Sequence, residues 1–281
     1  MTPVDIQLLQ KHVGQRASRE DVLDPRPLAQ FALTLDLPGS PPSIGDALPV
    51  GRHWLYFGSD VPLASLLVDG NANAPPPLPL VAMPRRMWGG GRIEFLRQLT
   101  IGGRVRRESE VKAIYERRGQ SGPLVFVVLR HEIADENGVA IIEEQDILYR
   151  DPEAADAAVP PRRRAREAPH WRRDFLPTIA MLFRYSAITF NAHRIHYDQA
   201  FARSEGYEGA VVHGPLLAML LMDGAALHAG RAIRRLAYRG SSPLFDGVPA
   251  TLAGRLIGTR AEAWASTSQA ELGLTAEIDF D

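Results

Sequence analysis

The sequence contains no cysteine. That excludes disulfides, thiolate metal sites and a cysteine nucleophile. Lysine is nearly absent too: Lys11 and Lys112 stand alone, and arginine supplies the other cations. Neither sign of charge dominates, with 32 basic against 33 acidic residues. No global field therefore favours nucleic acid or an anionic membrane as a partner. Long apolar runs are also missing. A membrane span needs about 18 or more apolar residues, and the best candidate, 216–227, is short and holds Asp223 and Gly224. The first 16 residues mix Asp5 with Lys11 and Arg16 and have no apolar centre. No secretory signal is expected there, and the expected location is cytoplasmic.

What is present is ordinary globular material, 45% hydrophobic and 23% charged over 281 residues. That length suits one large domain or two small ones. Short helices are predicted over 5–15 and over 25–35, the latter opened by Pro25 and Pro27. A strand is predicted over 53–58, and 71–79, with its proline triplet, reads as a loop. Residues 92–96, 104–117, 123–133 and 139–149 read as strands of an antiparallel meander, with a tight turn at Asn137-Gly138. Residues 151–169 are rich in Ala, Pro and Arg and form the clearest boundary. The arginine run there has no interleaved aromatics, so it reads as a solvated linker. Beyond it the element order repeats, with an apolar helix over 215–227 and strands near 233–239, 249–259 and 261–281. Halves are expected at 1–150 and 170–281. The predicted class is α+β, each half a curved antiparallel sheet around a central helix.

Two clusters carry chemistry. The first is 189–198, which holds Asn191, His193, Arg194, His196 and Asp198. His193 and His196 could be metal ligands, but no third ligand has a suitable spacing and HExxH is absent. A polar surface loop is the plain alternative. The second is Val212-His213-Gly214-Pro215-Leu216, a helix start. Its first amides lack intrahelical partners, and the helix dipole is positive there. Such an end can hold a carbonyl oxygen as it gains charge. A mere helix entry is the structural alternative.

Together, His196-Tyr197-Asp198-Gln199-Ala200-Phe201-Ala202 and 209–216 resemble the MaoC-type, R-specific enoyl-CoA hydratase signature. Arg239 and Pro243-Leu244-Phe245 fit the same layout, as do 83–92, 121–126 and 143–150 in the first half. These last are similar to the two-hotdog subgroup of mesaconyl-C4-CoA and itaconyl-CoA hydratases and mitochondrial 3-hydroxyacyl-thioester dehydratases. The resemblance implies a double hotdog fold, a hydro-lyase acting on an acyl-CoA, no metal or redox cofactor, and a homo-oligomer, expected as a dimer. It implies one site per chain, with the oxyanion held near Gly214 and His213. The broader family places a catalytic aspartate five residues before the histidine, where this chain has Asn191. An amide does not ionise. Base duty would then fall on His196 or be shared with His193, and Asn191 would position water.

Arg194, Arg85 and Arg86 are candidates for a substrate carboxylate, since guanidinium pairs with carboxylate in bidentate fashion. CoA phosphates or plain surface positions are their alternatives. Tyr185 and Trp88 are candidate pocket residues, and Trp88 suits a core position equally well. Three rival functions stay open: a dehydratase of fatty-acid synthesis, a hotdog thioesterase, and a non-catalytic acyl-CoA-binding protein. The thioesterase is disfavoured because Asp223 comes late in its helix.

Overall fold

The computed structural model describes residues 4–40, 42–119, 122–151, 163–165 and 168–281. Of the predicted linker 151–169, residues 152–162 and 166–167 lie outside them. Of its arginine run, Arg163 and Arg164 lie inside, where the Leu272 N–H donates to the Arg163 carbonyl at 2.8 Å and Arg164 forms a β-bridge with Glu271. The helices are α1 (Ile6–Gln10), α2 (Pro25–Thr34), α3 (Ile179–Ile188), α4 (Gln199–Ser204) and α5 (Gly214–Ala229). The strands of the first half are β1 (Arg16–Val22), β2 (Arg85–Phe95), β3 (Arg104–Gly119), β4 (Gly122–Asp135) and β5 (Gly138–Arg150). Those of the second are β6 (Trp171–Phe175), β7 (Ile233–Gly240), β8 (Ala250–Ile257), β9 (Arg260–Thr267) and β10 (Leu272–Phe280).

All ten strands form one antiparallel sheet in the order β1-β3-β4-β5-β2-β7-β10-β9-β8-β6. Read outward from the centre, the two halves have the same topology. They join where β2 pairs with β7, from Gly90 opposite Arg239 to Glu94 opposite Arg235. Close approach at this seam requires glycine. A Cβ on Gly90 would stand 2.4 Å from the Tyr238 carbonyl oxygen, and one on Gly91 2.4 Å from the Tyr238 hydroxyl.

In the second half the sheet wraps α5. Pro215 stands in its first turn, and Gly230 in the left-handed region ends it. Leu216 through Met222 are all buried. A helix apolar all round belongs inside a core, not on a surface. Trp171 of β6 wedges against Gly224 and Gly254, where a Cβ would stand 2.6 and 2.7 Å from its ring. In the first half, the β1–β2 connection carries α2 and a 3₁₀ turn at Arg52–Leu55.

That turn corrects the strand predicted over 53–58. Gly51 is left-handed at φ 76°, so the chain cannot stay extended. Arg52 then pairs with Asp223 of α5 at 2.8 Å, while His53 and Trp54 reach Glu143 of β5 at 3.3 and 2.8 Å. Tertiary partners override the local alternation. Strands β3, β4 and β5 form the expected meander, but β2, expected to open it beside β3, pairs instead with β5 and β7. It also begins at Arg85, and the β4–β5 hairpin turns on Glu136-Asn137. Strands β1 and β6 have no clear sequence signal, being polar or short edge strands. Among the described residues no helix is long and apolar enough to cross a membrane.

Candidate active site

The chain leaves α3 through Thr189 and reverses at Phe190, which takes φ 51°. Asn191 donates its backbone N–H to the Ser186 carbonyl at 2.8 Å, and its Oδ1 accepts from the His193 N–H at 3.0 Å. That bond fixes the amide orientation. The Nδ2 donors then have no partner among the described residues. A 3₁₀ turn, Arg194–His196, follows. Asp198 caps α4 by accepting from the Phe201 N–H at 3.0 Å, and Arg194 braces Asp198 at 2.8 Å. Arg194 also covers the Phe201 ring at 4.2 Å and donates to the Val68 carbonyl.

His196 donates from Nδ1 to the Val211 carbonyl at 2.7 Å, and the Val211 N–H donates to the Ile195 carbonyl at 2.8 Å. The first bond sets the tautomer, so Nε2 is the ring nitrogen left to accept a proton. The His196 ring stacks on His213 with centroids 3.7 Å apart, and His193 stands edge-on to His196 at 5.4 Å. His213 precedes α5, buried, with Nε2 2.9 Å from Ser186 Oγ and Nδ1 without a partner among the described residues. Tyr185 is edge-on to the His213 ring at 4.7 Å.

The three histidines are therefore neutral near neutral pH. Burial first, then the Arg86 charge, lowers His193 to about 4 against the pull of Asp69. Burial and neighbouring His193 lower His196 to about 3. Burial and the two neighbouring imidazoles hold His213 well below its ordinary value. Among the described residues no three His, Asp or Glu side chains cluster as metal ligands would.

Two clefts flank this group. The first, about 650 Å³, is lined by Asp69, Arg85, Arg86, Tyr149 and His193 among others. The second, about 660 Å³, is lined by Trp54, Tyr185, Ser186, Asn191, His213 and Pro215, with Arg107 and Gln145 on its sheet side. They share Asn71, Ala72 and Arg86. Between His193 of one and His213 of the other sits His196. A loop covers the motif: a Cβ on Gly70 would lie 1.8 Å from the Ala192 carbonyl oxygen, and the Arg194 N–H donates to the Asp69 carbonyl at 2.8 Å.

The structure thus brings together His193, His196, His213, Asn191 and Tyr185, and it places Arg85 and Arg86 along the first cleft. Arg194 and Trp88 line neither. Arg194 is a brace for Asp198, and Trp88 stacks on Tyr238 at 4.4 Å and edge-on to Trp54 at 5.9 Å. Gly214 packs against the Trp88 indole. A Cβ would stand 2.4 Å from the Trp88 ring, so glycine admits the indole. Sequence reasoning missed Ser186, the covering loop, and a buried network in which Glu143 accepts from His53, Trp54 and Gln145. Ser186 stands just before the 189–198 cluster and Glu143 opens the 143–150 segment, but their partners lie far off in the chain, and only the tertiary fold brings them together.

The family model for hydroxyacyl-thioester dehydratase type 2 matches residues 51–246. Mesaconyl-C4-CoA hydratase of Chloroflexus aurantiacus is 40% identical over 269 residues, 95% of this chain and 96% of that one. The chain belongs to the hydroxyacyl-thioester dehydratase type 2 family. Its fold is similar to a MaoC-like dehydratase from Phytophthora capsici (TM-score 0.67, 16% identity, 99% of both chains). It is also similar to a Mycobacterium tuberculosis protein described as a double hotdog (TM-score 0.59, 14% identity, 95% of this chain and 96% of that one). The architecture is the double hotdog, and α5 fills its second half.

Proposed function

We propose that this chain is an acyl-CoA hydro-lyase that hydrates a short dicarboxylic thioester, mesaconyl-C4-CoA, to citramalyl-CoA. The observation that carries this reading is the 40% identity to the Chloroflexus aurantiacus hydratase, which runs nearly end to end on both chains.

The geometry supports a general-base route. His196 starts neutral with Nε2 unspent, while its Nδ1–H bond to Val211 stabilises the imidazolium as it forms. Water loses a proton to Nε2 as its oxygen bonds to the β carbon of the acyl group. The π electrons move to the thioester, whose oxygen gains negative charge. The Gly214 N–H opens α5, and the helix dipole adds to it there, which suits that oxygen. His196 then returns the proton to the α carbon. Asn191 holds the water through its Nδ2 donors and takes no proton itself. The cleft of Asn191 and His213 receives the acyl group, and the adjoining cleft of Arg85 and Arg86 receives the pantetheine arm. The working form is a homodimer in the cytoplasm, and light scattering on the purified protein reads its mass.

The test is hydration of mesaconyl-C4-CoA, itaconyl-CoA and crotonyl-CoA side by side, with products read by mass. Turnover of a dicarboxylic thioester well above crotonyl-CoA is expected. The reverse preference would assign the chain to dehydration of 3-hydroxyacyl thioesters, and binding without turnover would make it an acyl-CoA-binding protein.

A further inference from the structure

A dicarboxylic thioester brings a second anion into the cleft, and some cation has to meet it. In mesaconyl-C4-CoA that carboxylate is bonded to the β carbon, the atom that water attacks. Whatever holds it also fixes the reacting carbon. The arginines of the motif region are already occupied. Arg85 faces Glu205 and donates to its carbonyl at 2.7 Å, and Arg194 pairs with Asp198. Arg86 spends its donors on the Ala72 carbonyl at 3.1 Å, on Asn71 Oδ1 at 2.8 Å and on the Tyr149 hydroxyl, at the junction of the two clefts.

Arg107 is different. It sits on β3, in the row of inward-facing residues that includes Val105 and Ser109, and it lines only the cleft of Asn191 and His213. Its guanidinium lies over the Phe57 ring at 4.8 Å. It makes no hydrogen bond or ion pair among the described residues, and its Nε is buried without a partner. The nearby carboxylates are committed elsewhere. Glu143 serves His53, Trp54 and Gln145, Asp21 accepts from the Phe57 N–H at 2.6 Å, and Asp60 pairs with Arg19. Burial lowers Arg107 to about 10, with Arg19 adding to that and Glu143 opposing it, so it keeps its proton. A desolvated, charged fork with unspent donors inside a reaction cleft is an anion site awaiting its anion.

We infer that Arg107 binds the free carboxylate of the acyl group and so sets the preference for dicarboxylic over monocarboxylic thioesters. This rests on the dicarboxylic reading of the substrate. The experiment compares wild type, Arg107→Met and Arg107→Lys, with Arg86→Met beside them, on mesaconyl-C4-CoA and crotonyl-CoA. The quantity read is the ratio of the two kcat/KM values, with melting temperatures checking the fold. A charge-assisted pair predicts that Arg107→Met lowers the ratio about 10- to 100-fold, with Arg107→Lys in between. Arg86→Met, at the junction, should slow both thioesters and leave the ratio near that of wild type. A wild-type preference that survives Arg107→Met and Arg107→Lys would overturn the inference and leave the substrate reading standing. A collapse of the ratio in Arg86→Met alone would give the role to Arg86. A wild type with no dicarboxylic preference would sink the substrate reading, and the inference with it.

Discussion

Replacing Gly70 by alanine separates the covering loop from the catalytic segment while every histidine keeps its side chain. Gly70 has φ +84°, and its added Cβ would lie 1.8 Å from the Ala192 oxygen and 2.7 Å from the Ala192 carbon. Both are backbone atoms, so neither can rotate away. The left-handed conformation costs about 1–2 kcal/mol for a residue with a Cβ, and forced overpacking adds about 1–3 kcal/mol. The loop is expected to lift. That breaks the Arg194 N–H bond to the Asp69 carbonyl and draws Asp69 away from His193, which it approaches to 3.8 Å. Gly45 is the control. It has φ +94° with nothing within 4 Å of the added Cβ, so alanine there carries the dihedral cost alone. The assay is thermal unfolding together with kcat/KM for hydration. Gly70→Ala should lower Tm by roughly 5–15 °C and kcat/KM by about 10-fold or more, since misplacement by 1 Å costs on the order of 100-fold. Gly45→Ala should shift Tm by a few degrees at most and leave turnover as it was. Equal behaviour of the two variants would show that the loop does not rest on Ala192 and would refute the reasoning.

His196→Ala should lower kcat by about 100-fold or more while circular dichroism stays native; turnover near that of wild type would move the base elsewhere. The pH–rate profile should lack a histidine step near 6.5, because burial holds His196 near 3 and His193 near 4; kcat/KM flat from pH 8 to 5 is expected, and half-loss at 6.5 would contradict a buried neutral base. Stability should fall in acid, since between about 6.5 and 3–4 the unfolded chain takes up protons that the folded histidines refuse. Glu143, lowered to about 2 by His53, His131 and Gln145 against its own burial, adds a loss in the same direction below about 4.5. Urea midpoints read at pH 8, 6 and 5 follow this, and a midpoint rising toward acid would reverse the sign. Glu143→Ala should cost about 3–5 kcal/mol in urea unfolding, because it strands His53, Trp54 and Gln145 in the interior; a cost under 1 kcal/mol would mean that water replaces the carboxylate.

The sequence by itself determined what depends on local pattern. Period-two alternation in 104–150 marks β3, β4 and β5 because a strand buried on one face must alternate. The continuous apolar run after Pro215 marks α5 because only a helix inside a core can be apolar all round. The motif segments named His196, His213 and Asn191, since their spacing survives in the chain itself. Tertiary structure alone decided the rest. Whether 53–58 was strand or turn depended on Glu143 and Asp223, about 90 and 170 residues away. Which arginines are free was equally unreadable. Arg85, Arg86, Arg107 and Arg194 are identical letters, and only packing shows that three spend their donors on protein atoms while Arg107 faces the cleft unspent. The tautomer and neutrality of His196 came from a bond to a carbonyl 15 residues on and from burial among two other imidazoles. Local sequence encodes periodicity and capping. Burial, charge pairing and the facing of one side chain to another exist only once the two halves share a sheet.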